Sequence, residues 1–239
     1  MKIGVQTFTV RKLAEKDSEG TFSQLKKMGV DHIELAYIPL SDETKHAILS
    51  SGLKVVAIQA TMKRLTEDKD EVVRFAKSVS CDTVVVSVIP ISAIIFGKRA
   101  IKRFADQLNQ LSKAYQREGF RLGFHHHDFE FKQLDNQIKL KWILDLTDSS
   151  VGIVTDTYWT KKAKHEPLDI IELIGRRLIG VHLRDLDRDL KHDAPLGKGV
   201  IDFKKILEKL KHHPAYQVIE QNSSNPKQDL TASIQYLKS

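Results

Sequence analysis

Side chains able to do chemistry crowd the second half of the sequence: His125-His126-His127-Asp128-Phe129-Glu130, then Asp156, then His182 with Arg184 and Asp185, then Glu220. Each group stands at the end of a short apolar run of β character, so four successive runs deliver an imidazole or a carboxylate at the same end. A His/Asp/His/Glu set mixes nitrogen with carboxylate oxygen. That mixture suits one divalent ion such as Mn²⁺, Co²⁺, Zn²⁺ or Fe²⁺ and departs from the all-oxygen surroundings that Ca²⁺ prefers. Period-two alternation puts His125 and His127 on one face of their run and Phe124 and His126 on the other. By the same rule Gly152, Val154 and Asp156 share a face, as do Gly180, His182 and Arg184, and Val218 with Glu220. A strand histidine is ordinarily a hydrogen-bonded core or surface residue, which is how His192 and His212-His213 read. Three consecutive histidines followed by acids read instead as metal-capable, because a cation removes the cost of burying unpaired carboxylates.

The elements that must position these groups follow from periodicity. Eight β-like runs lie near residues 2 to 8, 31 to 36, 53 to 60, 82 to 88, 120 to 127, 151 to 156, 178 to 183 and 216 to 221. Most are followed by helical spacing, clearest in Ile101, Phe104, Ala105, Leu108, Leu111 and Tyr115, and again in Phe203, Ile206, Leu207 and Leu210. Strict alternation makes the strands parallel, since each helix returns the chain to the same end of the sheet. Eight repeats in 239 residues match the size of a closed (β/α)₈ barrel, whose functional groups gather at the carboxyl ends of the strands. The competing open, doubly wound sheet would carry GxGxxG after its first strand, where Thr7-Phe8-Thr9 stands instead. No Pro/Gly/Ser-rich linker interrupts the pattern, so residues 1–239 are expected to form a single (β/α)₈ barrel domain.

Composition narrows the partners. With 41% hydrophobic and 29% charged residues the chain can bury a sizeable core and is not disordered. No apolar run approaches the roughly 20 residues of a bilayer span, and MKIGVQTFTV is too short an apolar start for a secretory signal. The expectation is a soluble, cytoplasmic protein with no membrane partner. The lone Cys81 excludes an intramolecular disulfide and a cysteine metal cage, and reads as a core residue beside Val84-Val85-Val86. The 38 Lys and Arg against 31 Asp and Glu are scattered without interleaved aromatics, which reads as a solvated surface rather than a nucleic-acid site.

At these residues the sequence resembles the xylose isomerase-like TIM-barrel superfamily, in its sugar phosphate isomerase/epimerase (AP endonuclease family 2) branch with an HNHDFEF-type motif. The resemblance covers nearly the whole chain. It rests on Gln6 ending the first strand, Ile33-Glu34-Leu35, His125 to Phe131, Asp156 to Trp159, His182-Leu183-Arg184-Asp185, Gly197-Lys198-Gly199 and Ile219-Glu220-Gln221. It implies a divalent metal held by His125, Asp156, His182 and Glu220. Many relatives have Glu where His125 stands, Asn where His126 stands, and His where Gln59 stands.

The resemblance further implies a metal-dependent isomerase or epimerase of a small sugar or sugar phosphate, working by proton transfer through an enediolate. Glu220 is then ligand and base, with His127 or Glu130 as partner acid. Gln6, Glu34, Trp159, Arg184 and Lys198 are the expected substrate contacts. Arg184, paired with Asp185, would orient a substrate oxygen or phosphate, and Trp159 would wall the pocket. Gly197-Lys198-Gly199 reads either as a phosphate-binding loop or as the turn leading into the helix at Ile201. Three alternatives stay open: a dehydratase or lyase on a keto-inositol or 3-keto-sugar at the same site, a DNA-processing endonuclease, and a non-catalytic barrel with a vestigial site. The endonuclease would need further His and Glu ligands on strands two to four, where Gln59, Ser87 and Ile89 stand. Homo-oligomerisation is left open.

Overall fold

The computed structural model describes residues 2–239. Eight parallel strands close on themselves: β1 (Gly4–Gln6), β2 (His32–Leu35), β3 (Lys54–Ala60), β4 (Thr83–Val86), β5 (Arg121–His125), β6 (Val151–Asp156), β7 (Leu178–Leu183) and β8 (Tyr216–Ile219). Each pairs with its neighbours in sequence, and β8 returns to β1 through Val5 opposite Ile219. Helices pack outside, among them Ser18–Lys27, Asp42–Ser51, Lys69–Ser78, Lys98–Gln116, Pro167–Ile174, Phe203–Leu210 and Pro226–Lys238. This is the expected (β/α)₈ barrel.

Local sequence explains the elements. Asp17 and Ser41 cap their helices by accepting N–H bonds from Gly20 and Thr44, and Gly52 ends the second of these helices at φ +69, a conformation that costs glycine little. The stripe Ile101, Phe104, Ala105, Leu108, Leu111 and Tyr115 is buried along one face of Lys98–Gln116. The strands are buried on both faces, which is why they read as continuous apolar runs rather than alternating ones.

Two apolar layers result. The larger lies between strands and helices and contains Cys81, buried as expected, its thiol pushed up to about 12 by burial. The smaller fills the bore of the barrel with Ala57, Val85 and Val154, against which Ile179 and Tyr216 pack. Two glycines make room for the larger plugs: a Cβ on Gly180 would lie 2.4 Å from the Tyr216 ring, and one on Gly152 would lie 2.6 Å from Ile179. Among the described residues no helix is long and apolar enough to cross a membrane.

Register then sets the level of the site. His125 lies opposite Val154, Asp156 opposite His182, and His182 opposite Val218, two residues before Glu220. Four adjacent strands therefore end with their polar residues at one rim. Strand β5 stops at His125, so His126 and His127 belong to the segment that follows it. Beyond β7, Asp185–Leu186 and Asp193–Ala194 form a small antiparallel ribbon over this end of the barrel.

Candidate functional site

His125, Asp156, His182 and Glu220 come together at the carboxyl ends of β5 to β8, each offering a ligand atom, with all four atoms within 4.8 Å of one another. All four side chains are buried. In each, one polar atom is tied to the surrounding protein and the other is left for the centre. His125 Nδ1 faces the Ser87 carbonyl at 3.4 Å. Asp156 Oδ1 accepts the Trp159 N–H at 2.9 Å and so caps the helix Thr157–Lys162. The Nε2 of His182 lies 3.1 Å from both carboxylate oxygens of Glu34, and Glu220 Oε1 accepts from Arg184 Nη1 at 3.1 Å. The atoms that remain are His125 Nε2, Asp156 Oδ2, His182 Nδ1 and Glu220 Oε2, and none of them completes a hydrogen bond. His182 Nδ1 and Glu220 Oε2 stand 2.7 Å apart, and His125 Nε2 is 3.6 Å from Asp156 Oδ2.

Buried polar atoms in folded proteins are ordinarily paired, so four converging orphans call for a missing partner. Two nitrogens and two carboxylate oxygens, each steered by an outer hydrogen bond, fit a divalent transition metal. The cluster could hold such an ion. Burial works against an imidazolium at His182, but Glu34 and Glu220 outweigh it and hold that pKa well above a free imidazole's. Burial likewise opposes ionisation of Glu220, yet Arg184 and His182 hold it below the usual carboxylate range. Burial, reinforced by His182, pushes His125 down to about 3, leaving it neutral and able to donate a lone pair.

Above the cluster opens a cleft of about 320 Å³, walled by Phe8, Tyr37, Tyr158 and Trp159 and floored by Gln6, Gln59, His125, Arg184 and Glu220. The structure brings Gln6, His127, Trp159 and Arg184 to this cleft, as the sequence suggested. Three expected substrate or proton-transfer residues lie elsewhere. Glu34 is fully buried behind His182. Glu130 is also fully buried, outside the cleft lining, where its Oε2 accepts the His127 N–H at 2.8 Å; burial pushes its pKa up to about 7. Lys198 is exposed and does not line the cleft.

His126 faces away, as alternation required. Its Nε2 receives the Thr155 hydroxyl at 2.8 Å and the Asp156 N–H at 3.3 Å, so it braces β6 from behind. His192, read as an ordinary surface residue, is exposed and paired with Asp189, and it also forms part of the rim.

One sequence reading needs correction and one open alternative is resolved. Arg184 does not pair with Asp185. Its guanidinium grips Asp193 through Nε (2.5 Å) and Nη2 (3.1 Å), reaches Glu220 through Nη1, and lies 4.4 Å over the Tyr158 ring. Asp185 turns instead into the following loop. There Oδ1 accepts from the N–H groups of Leu186 (2.9 Å) and Ile201 (3.2 Å), and Oδ2 from those of Gly197 (3.0 Å) and Gly199 (2.9 Å). The glycine amides that might have cradled a phosphate are thus occupied by a carboxylate, and of the two readings of Gly197-Lys198-Gly199 the turn is the one realised. Sequence reading missed Phe8, Tyr37, Tyr158, Asp193 and Asn222 as cleft residues. They sit on the segments following strands, where no periodicity marks a direction, although the DTYW stretch already contained Tyr158.

Comparison with known proteins agrees with this architecture. Among solved structures, the chain is similar to a sugar phosphate isomerase/epimerase from Parabacteroides distasonis, with a TM-score of 0.85 and 18% identity over 99% of this chain and 93% of that one. It is similar to the probable 3-DHS dehydratase AsbF of Bacillus anthracis, with a TM-score of 0.80 and 13% identity over 100% and 99% of the two chains. It is also similar to the 3-keto-D-glucoside 4-epimerase of E. coli, with a TM-score of 0.72 and 20% identity over 100% and 99%. No curated protein sequence matches the chain. The sequence model of the xylose isomerase-like TIM barrel matches residues 22–239, and the chain belongs to that family.

Proposed function

We propose that the protein is a divalent-metal-dependent isomerase or epimerase of a small sugar. The observation that carries this reading is the convergence of four buried donor atoms without hydrogen-bond partners at the floor of a polar cleft on the active face of a (β/α)₈ barrel. His125, Asp156, His182 and Glu220 would hold the ion. When bound, a divalent cation polarises a sugar carbonyl and stabilises the enediolate left when the neighbouring C–H proton is removed.

The chain's own residues supply the rest. Glu220, at the cleft floor, and His127, in its wall, are the two groups positioned to take and return a proton beside the carbonyl. Arg184, anchored on Asp193 and in contact with Glu220, fixes the carboxylate and offers a guanidinium edge to a substrate oxygen. Gln6 and Gln59, joined by a hydrogen bond of 2.9 Å, present amides to sugar hydroxyls. Trp159 and Phe8 line the cleft with apolar surface that excludes water. Glu130 acts at one remove, holding the backbone of His127.

Relatives named as isomerase/epimerase and as 3-keto-glucoside epimerase support this reading. The neighbour described as a dehydratase supports a second one, in which the same proton removal expels a β-hydroxyl. Elemental analysis of the purified protein beside His182→Ala and Glu220→Ala, followed by NMR detection of solvent deuterium entering keto-sugars in D₂O, tests both. One divalent metal per chain, lost in both variants, with metal-dependent deuterium exchange is the expected result. A wild-type protein that takes up no Mn²⁺, Co²⁺, Zn²⁺ or Fe²⁺ overturns the proposal.

A further inference from the structure

The cleft continues past the convergent donors. Tyr37, Gln59 and Ser87 line it and also line a second groove of about 550 Å³ between the segments that follow β2 and β3. Ile38, Pro39, Leu40 and Ala60 give that groove an apolar surface, and Ser41 and Thr61 add hydroxyls.

Tyr37 stands at the junction in a conformation its own exposure does not explain. It is 72% exposed, yet its φ is +57, a region that residues with a Cβ enter only at a cost. An exposed side chain has no burial to offset that cost, so the backbone around it must impose it. The Thr7 hydroxyl accepts the Ala36 N–H and donates to the Ala36 carbonyl, both at 2.8 Å, pinning the residue just before Tyr37 to the end of β1. The Tyr37 ring leans on Phe8 at 5.2 Å between centroids, and the Arg11 guanidinium lies 3.5 Å from the centre of the Phe8 ring. An aromatic ring thus stands against Phe8 at the mouth of the cleft.

Gln59 supplies a second, independent observation. It is only 7% exposed and its Oε1 is taken by Gln6, but its Nε2 makes no hydrogen bond among the described residues. An amide donor without a protein partner therefore opens into the space where the two cavities meet. The charge of the groove says what it excludes. Among the described residues its only cation is Arg64, which pairs with Glu71 at 3.2 Å, so no free positive charge waits for a phosphate.

An aromatic platform, an open amide donor, hydroxyls and no net charge match a neutral ring with one C–H face and polar edges. We infer that the groove is a subsite for a second ring, and that the protein acts on glycosides: the reacting sugar lies over His125, Asp156, His182 and Glu220, and the ring joined to it lies on Tyr37. This inference rests on the sugar isomerase/epimerase reading and narrows its substrate class away from free and phosphorylated monosaccharides.

Calorimetric titration of the Mn²⁺-loaded protein with methyl glucoside, cellobiose, maltose, phenyl glucoside and glucose 6-phosphate tests it. A two-ring ligand is expected to bind about tenfold tighter than methyl glucoside, the gain of one well-placed ring contact. Whether the disaccharides or the phenyl glucoside gain more identifies the second ring as sugar or aryl. In Tyr37→Gly, which accommodates the positive φ without strain, the ratio of two-ring to one-ring affinity falls to about one. Equal affinity for one and two rings, a gain that survives Tyr37→Gly, or tightest binding of glucose 6-phosphate each overturns the subsite. One-ring binding without a second-ring gain removes the subsite alone. Retention of metal with none of these sugars bound and no deuterium exchange into keto-sugars brings down the parent reading together with it.

Discussion

Asp185 offers the sharpest test of how the loop over the barrel mouth is built. Its two carboxylate oxygens each accept two backbone N–H groups, from Leu186 and Ile201 on one side and from Gly197 and Gly199 on the other. Asparagine keeps one acceptor oxygen and replaces the other with an NH₂ that faces two donors whichever way the amide turns. Two charge-assisted bonds are then lost, and because the Gly197 side of the loop is partly solvated, each is worth the lower end of the usual range. Asp185→Asn should cost about 3 kcal/mol, read as a fall of about 1 M in the urea midpoint. Asp185→Ala should cost at least as much, since a Cβ cannot accept at all. Lys198→Ala, which alters only an exposed side chain, should fall within about 0.5 kcal/mol of wild type. Inorganic phosphate should protect none of the three. An Asp185→Asn midpoint matching wild type, or stabilisation by phosphate that Lys198→Ala abolishes, would refute the assignment of the loop amides to Asp185.

Three further predictions follow from other parts of the molecule. Gly180→Ala drives a methyl into the Tyr216 ring inside the bore and should destabilise by about 1–3 kcal/mol; the cost should shrink in the Gly180→Ala/Tyr216→Ala pair, and additive effects by urea titration would contradict the clash. Burial raises Glu130 from 4.5 to about 7, so the folded state holds this proton more tightly than the unfolded chain and stability drains away as pH rises through that window. The unfolding free energy of wild type relative to Glu130→Gln should fall by about 3 kcal/mol across it; parallel pH curves would sink the argument. Chelation of protein held at about a hundredfold excess of metal over Kd should lower Tm by roughly 5–10 °C, while His182→Ala should show no such shift in the same thermal melt.

The barrel was legible in the sequence because parallel strands covered on both faces leave unbroken apolar runs. The runs overshot the ends, 2 to 8 against Gly4–Gln6 and 216 to 221 against Tyr216–Ile219, since residues leaving a strand keep its composition after its ladder has stopped. The four convergent donors were legible for a related reason: alternation fixes the face and the strand end fixes the height. What escaped was the direction of side chains past those ends. Arg184 and Asp185 are adjacent, yet one reaches Asp193 across the ribbon and the other turns into the Gly197 loop, a choice made by contacts distant in sequence. Glu34 and Glu130 have the residue type of catalytic groups, and only their tertiary partners distinguish a carboxylate that steers His182 or His127 from one that turns an oxygen to the centre, since Asp156 is buried as completely as they are. Tyr37 carried no signal at all, because a positive φ outside glycine is written in tertiary contacts rather than in local sequence.

The order of the strands around the barrel has an evolutionary consequence. All four convergent donors stand at the ends of β5 to β8, whereas the second groove is lined entirely by residues between Leu35 and Ser87, and Phe8 and Tyr37 share the walls of the cleft with Tyr158 and Trp159. The His182–Glu34 bond ties the donor cluster itself to the first half, and the Ser87 carbonyl steadies His125 through backbone, which no side-chain replacement removes. Substitutions in the early loops can therefore explore new ligands while the reactive centre is inherited intact. Drift in the late strands has no such freedom. A lineage built on this plan should diversify at one half of its chain and stay nearly silent at the rim of the other.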